Sequence, residues 1–235
     1  MIKLENSKLK LSREEELECE KLWVFLLLIW IGGFYGAFTY NIRGGVFCNA
    51  QTANFVLFAM ELGSGRIKKA LYFLVPMSAY FMGAVISEAL SGPIKRLKNI
   101  RWESLLILIE IIIVIFLGFL PEDAPYQISQ IVINFICSMQ YNTFQKTKKI
   151  PMATTFCTNH LRQSGKAFVN YLRNSENIEM KIKLFIHMKM LGMFVLGGII
   201  STILCHLFLG KAILFTLIPL FIILIRLTKS DIKNF

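Results

Sequence analysis

Long apolar stretches are the feature that most restricts what this chain can fold into. Six of them approach the roughly 20 residues that an α-helix needs to cross a hydrocarbon core about 30 Å thick. They cover residues 23–41, 71–90, 102–120, 126–144, 188–208 and 212–227. Hydrophobic residues make up 55% of the chain, whereas soluble domains contain about 45–50%. The sequence therefore predicts an all-α integral membrane protein with about six transmembrane helices in one bundle.

Basic residues give the chain a formal net charge of +11, and their positions predict its orientation. They cluster after the second, fourth and sixth stretches and before the fifth, whereas Glu122 and Asp123 join the third and fourth stretches. Because cytoplasmic loops accumulate Lys and Arg, we expect a multi-pass protein of the cell (inner or plasma) membrane with both termini in the cytoplasm. Arg66, Lys68 and Lys69 are the exception, since this arrangement places them outside.

Several other classes of protein are not expected. The basic clusters are not interleaved with exposed aromatic residues, which argues against nucleic-acid binding. The five cysteines form no CxxC pair and have no histidine at metal-ligand spacing, so neither a disulfide framework nor a metal site is predicted. The sequence contains no Gly-rich phosphate loop, catalytic triad or HExxH motif, and we expect no enzyme activity and no cofactor.

Two polar segments interrupt the apolar pattern at matching places, one after the first stretch and one after the fourth. They cover residues 46–62 and 152–172. Gly44 and Gly45 precede the first segment and Pro151 introduces the second, as is typical of helix breaks and helix starts. Irregular backbone at membrane depth must be enclosed by protein or line a cavity. The pattern predicts a short polar helix in each half, discontinuous or re-entrant, and leaves open whether it crosses the membrane.

An internal repeat relates the two halves. Residues 80–90 (YFMGAVISEAL) align without gaps to residues 194–204 (FVLGGIISTIL), and a Tyr-Asn pair lies near the end of both the first and the fourth stretch. Residues 51–55 correspond to residues 157–161. Three spans per half turn the second half over, which is the inverted-topology plan of many transporters. The predicted division is an amphipathic cytoplasmic segment at 1–21, three-span repeats at 22–120 and 121–229, and a tail at 230–235.

Both polar segments resemble a known family. The stretches RGGVFCNAQTANFVLFAMELGSGRIKKALYFLVP and KIPMATTFCTNHLRQSGKAF are similar to motifs of the YoaK family, the DUF1275 group of bacterial membrane proteins. The resemblance extends over residues 23–227. The chain departs from the family pattern at Ala53, where Gly is usual, and at Asn159 and His160, where Gly-Asn is usual. The resemblance implies a multi-span inner-membrane protein and implies no particular activity.

Candidate site residues come from the two polar segments and from one charge inside an apolar stretch. Side chains that can bind a polar or anionic solute are Arg43, Asn49, Gln51, Thr52, Asn54, Thr155, Thr158, Asn159 and Arg162. Glu110 stands within LLILIEIIIVIF, and an acid inside a span is a candidate for proton coupling. The alternative roles are structural: Arg43 reaches lipid headgroups, the amides and hydroxyls bond neighbouring helices, and Glu110 is a neutral buried acid.

These patterns favour a transporter that moves a small polar or anionic solute through a site between the two polar segments. The alternatives are a channel of the same architecture and a membrane scaffold in which the polar residues only join helices. The expected partners are membrane lipids and the solute, and the chain is a candidate for a homo-oligomer.

Overall fold

Helices form most of the protein in the computed structural model, which describes residues 17–94, 100–147 and 150–233. After a 3₁₀ turn at Glu18–Glu20, the helices are α1 (Leu22–Ile42), α2 (Gln51–Gly63), α3 (Ile67–Ile94), α4 (Trp102–Gly118), α5 (Tyr126–Thr143), α6 (Thr158–Arg173), α7 (Ile178–Phe208) and α8 (Leu217–Lys233). A 3₁₀ segment at Leu209–Thr216 joins α7 to α8. Lys146–Thr147 and Ile150–Pro151 pair as the short antiparallel strands β1 and β2.

The all-α prediction is confirmed, because each of the six apolar stretches coincides with helix. Three helical segments are long and apolar enough to cross a membrane: Leu22–Ile42, Ile67–Gly92 and Ile178–Lys233. Helices α4 and α5 are shorter, with 17 and 18 residues. The long apolar helices indicate a membrane protein. Most of the predicted N-terminal segment, together with Lys95, Arg96, Lys98, Lys148 and Lys149, lies outside the described residues.

The surface of the bundle is also that of a membrane protein. Six of the eight helices that the structure describes carry large apolar side chains that are more than half exposed, among them Phe81, Ile112, Val195 and Ile218. Soluble monomers rarely expose apolar patches larger than a few hundred Å². The buried core lies at the centre of the bundle around α1, whose Val24, Leu28 and Ile31 are inaccessible to solvent.

Several boundaries differ from the prediction: α3 extends four residues beyond its predicted stretch at each end, α8 ends at Lys233, and α7 and α8 begin elsewhere. Helix α7 begins at Ile178 rather than near residue 188, because Asn177 caps its N-terminus by accepting a hydrogen bond from the Met180 N–H at 3.1 Å. An ion pair between Lys183 and Glu179, one helical turn apart at 2.6 Å, supports this polar extension. The last apolar stretch begins as the 3₁₀ segment and becomes α-helical only at Leu217.

Two pairs of helices, α1 with α7 and α3 with α5, pack with their backbones unusually close. A Cβ atom added at Gly197 of α7 would lie 2.0 Å from the carbonyl oxygen of Trp30 in α1. A Cβ atom at Gly83 of α3 would lie 2.4 Å from the carbonyl oxygen of Phe135 in α5. Because the nearest atoms belong to the backbone, only glycine allows these approaches. Small residues serve this purpose in membrane helices generally.

The turn between α2 and α3 contains the exception in the charge pattern. Arg66 and Lys69 both pair with Glu61, and Lys69 Nζ lies 2.9 Å from Glu61 Oε1. Hydrogen bonds from Arg66 and Lys69 lower the pKa of Glu61 to about 2. The carboxylate is therefore ionised at neutral pH and pairs with both cations. Orientation follows the distribution of Lys and Arg rather than the net charge, so the exception to the charge pattern stands.

Candidate functional site

The two polar segments meet on one face of α1, at Gly32. From the first segment, Asn49 Nδ2 donates to the Gly32 carbonyl oxygen at 2.7 Å. From the second, the Thr154 carbonyl oxygen and Thr155 Cα lie 2.7 and 3.0 Å from the position that a Cβ of residue 32 would occupy. Gly36, one turn further along α1, leaves room for the Asn49 amide in the same way. The glycines of α1 thus let both segments reach the interior of the bundle.

The first polar segment is held in shape by Asn54. Its Oδ1 accepts from the Phe47 N–H at 3.2 Å and its Nδ2 donates to the Phe47 carbonyl oxygen at 2.6 Å, which closes a loop ahead of α2. Gly44 and Gly45 turn the chain into this loop with φ values of 83° and 72°, a region that favours glycine. A Cβ on Gly44 would also lie 2.6 Å from the Tyr72 hydroxyl oxygen.

Replacing Asn54 is expected to destabilise the protein. Asn54→Ala leaves the N–H and carbonyl of the half-buried Phe47 without their partner, and a backbone group left unpaired away from water costs up to about 1–3 kcal/mol. Thermal unfolding of the detergent-solubilised protein should show a melting temperature lower by several degrees. Thr52→Ala is the matched control, because Thr52 lies in the same helical turn and is exposed. Equal melting temperatures for the two variants would contradict the structural role of Asn54.

The second polar segment is closed by a histidine instead. His160 Nε2 lies 2.7 Å from the Ala153 carbonyl oxygen, which can only accept, so this nitrogen carries a proton. In the neutral ring, Nδ1 then accepts from His187 Nδ1, which lies 3.0 Å away. The contact ties α6 to α7. The sequence marked His160 as a departure from the family pattern but did not connect it to His187, because the two are 27 residues apart.

A chain of amide groups links the first segment to the end of α1. Gln51 Nε2 donates to Asn134 Oδ1 at 2.8 Å, and Asn134 Nδ2 donates to the Gln130 carbonyl oxygen at 2.8 Å. Gln130 Nε2 in turn donates to the Arg43 carbonyl oxygen at 2.6 Å. Sequence reasoning missed Gln130 and Asn134. With Ser138 they repeat every four residues within the fourth apolar stretch, and that spacing marks one buried polar face of a helix.

Arg43 ends α1 with its side chain only 1% exposed. Its Nη1 lies 3.4 Å from Glu122 Oε2, and its guanidinium carbon lies 5.6 Å from the centre of the Phe38 ring. Nε and Nη2 have no hydrogen-bond partner. A buried charge with unpaired donors is costly and is common at functional sites of membrane proteins.

Glu110 is completely buried in the middle of α4. Its Oε1 accepts from the Tyr35 hydroxyl of α1 at 3.0 Å, while Oε2 has no partner. The bond to Tyr35 fits the structural alternative for this acid, and the free Oε2 fits a group that takes up and releases a proton. The proton-coupling role stays a prediction.

Four predicted site residues lie away from this interior cluster. Thr52, Thr158 and Arg162 are exposed, and the half-buried Asn159 accepts from Arg162 Nη2 at 3.3 Å on the surface of α6. Arg162 therefore lies on the surface, away from the buried Arg43. The predicted residues that remain as interior candidates are Arg43, Asn49, Gln51, Asn54, Glu110 and Thr155.

A cavity of about 400 Å³ opens at the end of the bundle opposite Arg43. It lies among the N-terminus of α4, the C-termini of α3 and α5, and the chain ahead of α1. Its polar lining includes Glu20, Glu88, Arg101 and Lys146 and no residue of either polar segment. Within the described ranges no group of three metal-ligating side chains occurs.

Comparison with known proteins identifies a family and no characterised relative. Residues 24–226 match the family described as Protein of unknown function (DUF1275). Searches of characterised proteins and of solved structures find no match.

Proposed function

The chain belongs to the DUF1275 family, and we propose that it is a membrane transporter for a small anionic solute, with its site where the two polar segments meet. The observation that carries this proposal is their joint contact with Gly32: Asn49 donates to its carbonyl oxygen, and the Thr154 backbone packs against its α-carbon. Discontinuous elements that meet inside an apolar bundle form the substrate sites of many secondary transporters.

The proposed architecture is a six-span, 3+3 inverted repeat in the inner membrane, with both termini in the cytoplasm. Two hydrogen bonds at equivalent positions support the repeat. Asn41 Nδ2 donates to Thr202 Oγ1 at 3.0 Å, and Asn142 Nδ2 donates to Glu88 Oε2 at 3.2 Å. In the sequence alignment Asn41 corresponds to Asn142, and Thr202 corresponds to Glu88.

The loops at the two polar segments support the repeat independently. Asn54 bonds to Phe47 and His160 bonds to Ala153, and each bond spans seven residues. The alignment of residues 51–55 with 157–161 pairs Asn54 with His160. Helix packing agrees as well, since α1 packs on α7 and α3 packs on α5 through glycines. Alternating access would then rock one half against the other about the two segments.

Preference for an anion follows from Arg43, which lies about 16 Å along α1 from Gly32 at about 1.5 Å per residue. The amide chain through Asn134 and Gln130 joins Arg43 to the first polar segment, so we propose that the site extends from Gly32 to Arg43. The Nε and Nη2 of Arg43 lack partners, and its nearest carboxylate, Glu122, is half exposed in a loop. A buried guanidinium needs a counter-charge, which a bound anion supplies. We propose membrane lipids and this solute as the partners, a homo-oligomer as the assembly, and no enzymatic step.

A membrane scaffold is the second candidate, and the bonding of the first polar segment favours it. Asn49, Gln51 and Asn54 already bond to protein groups. Amides that are satisfied in this way join helices without any solute.

Flux measurements separate the two candidates. Purified protein in proteoliposomes should take up at least one of radiolabelled acetate, lactate, phosphate or chloride. Arg43→Gln should reduce that uptake by more than about tenfold, because truncating a buried charge at a binding site is strongly unfavourable.

Arg162→Gln is the matched control for this variant. It removes the same charge from the exposed surface of α6 and should change uptake by less than about twofold. Uptake that is insensitive to Arg43 would contradict the site, and no uptake of any anion would favour the scaffold.

A further inference from the structure

Two donors form a seat for a carboxylate group: the Arg43 guanidinium at the end of α1 and the Gly210 N–H at the start of the 3₁₀ segment. Glu122, in the α4–α5 loop, accepts from both. We infer that Glu122 fills this seat in the protein as it stands and that the carboxylate of the transported anion replaces it. This inference rests on the proposed function and names its substrate class, a small carboxylate.

Each oxygen of the Glu122 carboxylate has its own donor. Gly210 N–H donates to Oε1 at 2.8 Å, and Arg43 Nη1 donates to Oε2 at 3.4 Å. Two donors that share one planar carboxylate in this way recognise its shape as well as its charge. The three residues come from three separate parts of the chain, so the seat exists only in the folded protein.

A side chain at position 210 would displace the Arg43 and Glu122 end groups from the seat. A Cβ atom there would lie 2.1 Å from Arg43 Nη2 and 2.7 Å from Glu122 Oε1. The guanidinium therefore packs directly against the backbone that supplies the second donor. Leu209, with φ of 48°, turns the chain immediately before this point.

Glu122 is a loosely held occupant. Its side chain is 48% exposed, whereas Arg43 is 1% exposed. The 3.4 Å contact is longer than the roughly 2.7–2.9 Å of strong charge-assisted bonds, and ion pairs with an exposed partner contribute little. Arg43 keeps two further donors, Nε and Nη2, without partners. An incoming carboxylate can take the Nη1 and Gly210 donors while Glu122 swings into solvent, and any additional acceptor on the ligand can use Nε or Nη2.

Acetate binding to the full-length protein tests this directly. Isothermal titration in detergent without added lipid should show that Glu122→Gln binds acetate about fivefold more tightly than the unmodified protein, because the internal competitor is weakened; fivefold corresponds to about 1 kcal/mol. Arg43→Gln should abolish acetate binding. If Glu122→Gln is poorly folded, Glu122→Asp serves instead, because its shorter side chain retracts from Arg43 and should shift affinity in the same direction.

Asp123→Asn is the matched control. It removes one negative charge from the next position of the same loop, where Asp123 is exposed, and should leave acetate affinity unchanged. Unchanged or weaker acetate binding by Glu122→Gln, or an equal gain in Asp123→Asn, would overturn the inference. Binding of inorganic phosphate or added phosphatidylglycerol at Arg43 in place of acetate would overturn the carboxylate assignment.

The binding and flux measurements distinguish a failure of the seat from a failure of the proposed transport function. Acetate binding that follows the expected pattern, without flux of any anion in proteoliposomes, supports the seat and overturns transport. Flux that ignores both Glu122 and Arg43 supports transport and overturns the seat.

Discussion

Gly197→Ala is expected to be among the most destabilising single substitutions in this protein. The added Cβ would lie 2.0 Å from the carbonyl oxygen of Trp30, and a backbone atom in the middle of α1 cannot rotate away. The helices must separate, and overpacking of this kind costs about 1–3 kcal/mol or more. The melting temperature in detergent should fall by about 2–12 °C, given about 2–4 °C per kcal/mol for a chain of this size.

Gly192→Ala provides the comparison within the same helix. No atom lies within 4 Å of a Cβ added at Gly192, and replacing a helical glycine by alanine at an open site stabilises by about 0.4–1 kcal/mol. The two variants should therefore shift the melting temperature in opposite directions. A similar small shift for both would show that α1 and α7 do not pack as closely as described.

Glu110→Gln is expected to abolish proton coupling and preserve the fold. Glutamine has nearly the same shape, and its Oε1 can still accept from the Tyr35 hydroxyl, which lies 3.0 Å from Glu110 Oε1. It has no proton to exchange, however, and buried acids within membrane helices commonly serve as proton carriers. Anion uptake into proteoliposomes should lose all of its stimulation by an imposed pH gradient, while uptake without a gradient remains.

Glu103→Gln is the control for this experiment. Glu103 is also a buried acid of α4, but it lies at the helix start and accepts from Arg101 Nε at 3.5 Å. Its replacement should leave the stimulation by the pH gradient intact. Stimulation that survives in Glu110→Gln would assign Glu110 the purely structural role of bonding Tyr35.

Much of the candidate site was predictable because polarity inside an apolar chain is conspicuous. Arg43, Asn49 and Glu110 stand out in the sequence for that reason, and all three are buried. Gln130 and Asn134 carried the same signal in their four-residue spacing, but the apolar character of the stretch around them concealed it. Thr52 and Arg162 satisfied the same criterion and are exposed, since composition does not say which face of a short helix turns inward.

The sequence alone predicted that the chain is helical and that it has six apolar stretches, because both follow from the length and hydropathy of each segment taken by itself. The sequence did not predict which of these segments lie close together. Three features join residues that are far apart in the chain. They are the meeting of both polar segments at Gly32, the pairing of His160 with His187, and the seat at Arg43, Glu122 and Gly210. Such contacts depend on how closely the helices approach, which only the packed bundle determines.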